Sequence, residues 1–197
     1  NDGWSVLHIA ALNNSKETAE ILISHGADIN AKDNDGWSVL HIAALNNSKE
    51  TAEILISHGA DINAKDNDGW SVLHIAALNN SKETAEILIS HGADINAKDN
   101  DGWSVLHIAA LNNSKETAEI LISHGADVNA KDNDGWSVLH IAALNNSKET
   151  AEILISHGAD INAKDNDGWS VLYIASLNNS KETAEILISH GADINAR

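Results

Sequence analysis

The chain has 197 residues and a formal net charge of −17, with 29 Asp and Glu against 12 Lys and Arg. A surface this acidic argues against nucleic acid, whose phosphates select basic protein, and against anionic membranes. Cys is absent, which excludes disulfides and thiolate metal sites, and no apolar run approaches the roughly 18 residues of a spanning helix.

The 33-letter string NDGWSVLHIAALNNSKETAEILISHGADINAKD opens the chain and returns five times, giving repeats 1–33, 34–66, 67–99, 100–132, 133–165 and 166–197. A fixed period of this size marks a repeat architecture, expected here as one array over 1–197 in which each unit meets only its neighbours. The copies differ at few places. Ile29 becomes Val128 in the fourth; in the sixth His8 becomes Tyr173, Ala11 becomes Ser176 and Lys32 becomes Arg197. Exposed positions tolerate change at little cost, so such identity reads as a designed consensus array, with a natural fragment of recently duplicated repeats as the alternative.

Within one copy, Asn1-Asp2-Gly3 is turn chemistry and Trp4 follows it. Ser5 stands where an N-cap belongs, and His8 three residues on can reach back as the Glu of a capping box does. Val6 to Leu12 then reads as a short helix, ended by Asn13-Asn14, since Asn accepts the left-handed region. Ser15 is expected to cap a second helix, with Glu17 in its first turn favourable to the dipole. Ala19, Leu22 and Ile23 share one face, widened by Ile21. His25-Gly26 closes the helix with Gly at the usual C′ position. A polar loop runs from Ala27 to the next Trp37, so the unit is helix, tight turn, helix, long turn.

These residues resemble the ankyrin repeat over the full chain. The family's T-P-L-H stands as Ser5-Val6-Leu7-His8, and its L-A-A as Ile9-Ala10-Ala11. Its G-A-D-V-N-A is Gly26-Ala27-Asp28-Ile29-Asn30-Ala31, and is literal from Gly125 to Ala130. Asp33 and Gly36 bracket the hairpin as the family's D-x-x-G does. Val6 replaces the Pro that presets φ at the first helical residue, and Asn14-Ser15 replaces Gly-His. The resemblance implies an all-α ankyrin solenoid of six helix-turn-helix units carrying β-hairpin fingers. It also implies a non-enzymatic binding module without cofactors, cytoplasmic if natural and a soluble recombinant product if designed.

Three constellations invite other chemistry. Ser5 and His8 mimic a nucleophile and base, but no third residue is placed to orient the imidazole. His25, His58, His91, His124, His157 and His190 form a column that suggests zinc. Packed helices lie about 8–10 Å apart, too far for one metal to bridge neighbouring rungs. Asp33 to Gly36 resembles part of a calcium loop, yet an EF-hand register would place Ala31 and Ile42 at ligand positions. No metal site is expected. The sequon Asn13-Asn14-Ser15 recurs in each copy and matters only in a secreted product.

In the ankyrin family, partners dock mainly on the concave surface made by the hairpin tips and first helices. The resemblance places Asn1, Asp2, Trp4, Leu12, Asn13 and Lys32 of each copy there. Positions of this kind are the ones varied in designed ankyrin binders. The expected partner-binding face is therefore a ladder of Trp4, Trp37, Trp70, Trp103, Trp136 and Trp169, with Leu12, Leu45, Leu78, Leu111, Leu144 and Leu177 beside it. Trp is enriched in binding hot spots, and the ligand would be a protein or peptide. The competing expectation is that each indole merely stiffens its hairpin. The first copy matches the inner ones and the last differs little, so end-to-end self-association is also expected.

Overall fold

A computed structural model describes residues 2–197; the turn residue Asn1 lies outside the described residues. The chain gathers into two compact units, Asn1–Asn100 and Asp101–Arg197. The first holds α1 (Val6–Leu12), α2 (Lys16–Ser24), α3 (Val39–Leu45), α4 (Lys49–Ser57), α5 (Val72–Leu78) and α6 (Lys82–Ser90). The second holds α7 (Val105–Leu111), α8 (Lys115–Ser123), α9 (Val138–Leu144), α10 (Lys148–Ser156), α11 (Val171–Leu177) and α12 (Lys181–Ser189). Within each unit, odd-numbered helices pack on odd and even on even, in two layers, as the all-α repeat reading requires. The expected hairpin fingers are reduced to isolated antiparallel bridges such as Lys32–Ser38 and Lys131–Ser137, with no extended strand among the described residues.

The helix signals act as read in five first helices. In α1, Ser5 Oγ accepts the His8 N–H while His8 Nδ1 accepts the Ser5 N–H at 3.1 Å, closing a capping box. Asn14 takes φ +48° and Gly26 φ +92°, which end the two helices in the left-handed region. In α11 Tyr173 cannot return the bond. Its N–H still reaches Ser170 Oγ at 3.1 Å, and the reciprocal half is lost. Burial of the second helix departs slightly from the sequence reading. In α4 the enclosed residues are Thr51, Ala52, Ile54 and Leu55, whereas Ile56 is half-exposed.

Neighbouring repeats bury what one repeat cannot. Ile9 is 45 % exposed in α1, whereas Ile42, the same residue one repeat on, is 0 % exposed. Covering that side chain is worth about 1 kcal/mol by apolar area. Polar groups cross the same joint. His8 Nε2 lies 3.0 Å from the Trp37 carbonyl, an acceptor only, so Nε2 carries the proton and Nδ1 is the bare acceptor. The neutral tautomer is thereby fixed at both nitrogens.

The second helix is where the sequence reading needs correction. Ser15 and its copies hold the N-cap position, but none makes a side-chain cap bond. Ser48 Oγ instead donates to the Ala11 carbonyl of the preceding repeat at 2.7 Å. Capping comes from that repeat too. Asn14 Oδ1 accepts both the Thr51 N–H (3.2 Å) and the Thr51 hydroxyl (3.0 Å), while its Nδ2 donates to Glu50 at 2.7 Å. The Asn14 amide holds the Glu50 carboxyl below its ordinary range, and the Asn47 amide does the same for Glu83. Asn therefore suits the position twice, by accepting positive φ and by carrying the cap.

Two expectations follow. Asn47→Gly keeps the backbone but removes the cap on Thr84, and should lower unfolding free energy by about 1–2 kcal/mol. Asn47→Ala adds the left-handed penalty of about 1–2 kcal/mol; equal losses for the two variants in urea titrations would refute this account. The second expectation concerns acid. Burial pushes the His41 and His140 imidazoles below their ordinary 6.5, against the opposing pull of the Trp70 and Trp169 carbonyls. Both rings then bind a proton on unfolding, so their contribution is intact above the unfolded value of 6.5 and declines as pH falls below it. The urea midpoint should drop between about pH 7.5 and about pH 5, and less steeply in a His41→Gln, His140→Gln variant.

Candidate functional site

The Trp ladder is set by its backbone before its side chains are considered. Asp33 Oδ1 accepts the N–H groups of Asp35 (2.9 Å) and Trp37 (2.8 Å), and the Asp33 N–H donates to the Trp37 carbonyl at 2.9 Å. Gly36 closes the turn at φ +83°, and a Cβ there would stand 2.6 Å from Asn67 Oδ1 and 2.9 Å from its backbone nitrogen. Only Gly fits. The tip is tied to the next tip by Asn67 N–H donating to the Asp35 carbonyl at 3.0 Å. The Asp33 carboxylate is thus engaged in the turn.

With both backbone groups of Trp37 engaged, its indole is left at the surface. Trp4, Trp37, Trp70, Trp103 and Trp136 are half-buried, and Trp169 is 38 % exposed. Each of the first five lies against the imidazole four residues on, with ring centroids 5.7–5.9 Å apart. In the last repeat Trp169 meets Tyr173 at 5.0 Å. The Trp4 indole also donates to Asp33 Oδ2 at 2.9 Å. Part of each ring therefore packs and part faces solvent. Leu12, Leu45, Leu78, Leu111 and Leu144 are half-buried too, and Leu177 is 63 % exposed.

In the unit of residues 101–197 these side chains meet. Trp103, Trp136, Ile141 and Leu144, with Asp132 and Asp134, line a shallow depression of about 220 Å³. Other positions assigned to this surface hold the repeats together. Asn46 Nδ2 donates to the Leu12 carbonyl at 2.8 Å, and Lys32 Nζ to the Lys65 carbonyl at 3.2 Å. Sequence reasoning missed both of these roles, as it missed Thr51, which is wholly buried at the joint.

The alternative chemistries find other employment. Ser5 and His8 are a helix cap whose second nitrogen binds a carbonyl, not a carboxylate. His25 Nδ1 lies 2.8 Å from the Ile21 carbonyl and so donates to the end of α2. No group of three metal-ligating side chains stands together among the described residues, and no helix there is long and apolar enough to cross a membrane.

Helix pairs joined by polar turns and repeated at a fixed period within each unit define a repeat protein. A family model described as ankyrin repeats (3 copies) matches residues 1–66, 64–132 and 127–197, and the chain belongs to the ankyrin repeat family. A search of curated proteins returned no match.

Proposed function

We propose that the chain is a non-enzymatic scaffold whose Trp/Leu groove docks a protein or peptide. The observation that supports this most directly is the depression between Trp103, Trp136 and Leu144, where half-buried apolar side chains converge without closing over one another. Such partly exposed indoles keep apolar area available for a partner, and Trp is among the residues that most often dominate binding energy. Ankyrin repeats in general serve protein–protein interaction. The near-identity of the copies bears on origin, and the coding DNA decides it: one cassette repeated with uniform codons fits design, and scattered synonymous changes fit natural duplication.

Trp103→Ala and Trp136→Ala should each weaken partner binding by at least about tenfold, the scale of a hot-spot residue. Calorimetry against a selected peptide, with thermal unfolding run in parallel, reads both effects. A loss of stability with unchanged affinity would make the ladder structural only.

Self-association is a second reading, carried by the outer faces of the first and last described repeats. Val6 is 67 % and Ile21 59 % exposed, while their equivalents Val39 and Ile54 are 0 % and 8 % exposed beneath the first repeat. Leu177 and Ile188, at 63 % and 50 % exposed, present the complementary side of such a joint. In a solution of the 197-residue chain, light scattering should show mass rising with concentration, and Val6→Glu with Ile21→Glu should abolish the rise. A strict monomer at millimolar concentration would end this reading.

A further inference from the structure

The depression at Trp103 and Trp136 has a charge as well as a shape. Its walls are two indoles, Ile141 and Leu144; its remaining lining is two carboxylates, Asp132 and Asp134, and no cationic residue. Asp132 Oδ1 already accepts the N–H groups of Asp134 (2.9 Å) and Trp136 (2.8 Å). The Asp134 side chain is exposed and accepts no hydrogen bond among the described residues. The neighbouring Lys131 ammonium reaches along the array, donating to the Lys164 carbonyl at 3.1 Å. An apolar slot bordered by carboxylates selects a long apolar stem ending in a cation. Lys and Arg have that form: the stem lies along the indoles, and the head meets an aromatic face or a carboxylate.

Resting on the groove reading above, we infer that the partner is a basic peptide segment whose Lys or Arg side chains seat between successive indoles. The same residue types recur one repeat on, at Trp136, Asp165, Asp167, Trp169, Ile174 and Leu177, and likewise in the first unit. Packed helices set neighbouring rungs about 8–10 Å apart. A polyproline II chain advances about 3.1 Å per residue with three residues per turn, so residues i and i+3 share a face about 9 Å apart. The segment therefore carries its cations at every third position.

The test is a fluorescence titration of the 197-residue chain, read from its own Trp emission. Three Pro-rich peptides of equal length are compared: Arg at every third position, the same Arg residues contiguous, and Glu in place of Arg. The periodic Arg peptide should bind about tenfold more tightly than either control, and more weakly as salt is added. Replacing the tip carboxylates together, as Asp35→Asn, Asp68→Asn, Asp134→Asn and Asp167→Asn, should cost about tenfold in its affinity. Removing the same charge from exposed helix positions, as Glu20→Gln, Glu53→Gln, Glu119→Gln and Glu152→Gln, should change it little. Equal losses from the two sets would reduce the effect to general charge and overturn the inference. Equal binding of the three peptides, or of none, would overturn it as well. Loss of binding in Trp136→Ala with full binding in the four-Asn variant would sink this inference while leaving the groove reading in place.

Discussion

Each repeat leaves polar groups that only its successor can satisfy. The bare Nε2–H of His8 needs the Trp37 carbonyl, and the second helix of one repeat takes its cap from Asn14 of the one before. A helix of seven or nine residues is too short to be stable alone in water. Here the missing stability comes from a neighbour, through buried Ile and Leu and through hydrogen bonds whose loss would leave buried donors unpaired. No buried side-chain nitrogen or oxygen among the described residues lacks a partner. The unit of stability is thus the joint rather than the repeat.

That constraint also explains how the candidate site arises. The backbone of Trp37 is fixed twice, by the Asp four residues before it and by the imidazole of the preceding repeat. The indole is left over from this framework, supported on one side by its own repeat's His and open on the other. Within each unit, a partly packed aromatic side chain therefore recurs once per repeat. The substitution of Tyr173 and Ser176 fits the same logic. Their equivalents His8 and Ala11 are wholly buried, whereas both substituted residues are exposed in the last repeat, where Ser176 Oγ donates to the Leu172 carbonyl at 2.9 Å.

Charge is arranged around this framework. At the tips, Asp residues fold the turns and border the groove, while the Lys residues beside them reach along the array to the next carbonyl. Glu50 and Glu83 lie on exposed helix starts, each held ionised by an Asn amide from the preceding repeat. Acidity on the helix surfaces favours solubility.

The sequence by itself determined the period, both helices of every repeat, the Ser5–His8 box, the left-handed Asn14 and Gly26, and the family. Those are local matters, settled within a few residues by cap chemistry, φ preference and the spacing of apolar side chains. Tertiary structure alone decided that Ser15 would not cap its own helix, that Asn14 would cap another, and that Thr51 would lie buried. It also decided how much of each Trp would stay exposed. These contacts span about one repeat length, 29 to 37 residues. In a chain of nearly identical copies, a polar side chain is equally compatible with a partner in its own repeat or the next. Spacing along the sequence cannot separate the two; the rise and rotation between packed helix pairs does, because only one choice brings donor and acceptor within hydrogen-bonding distance.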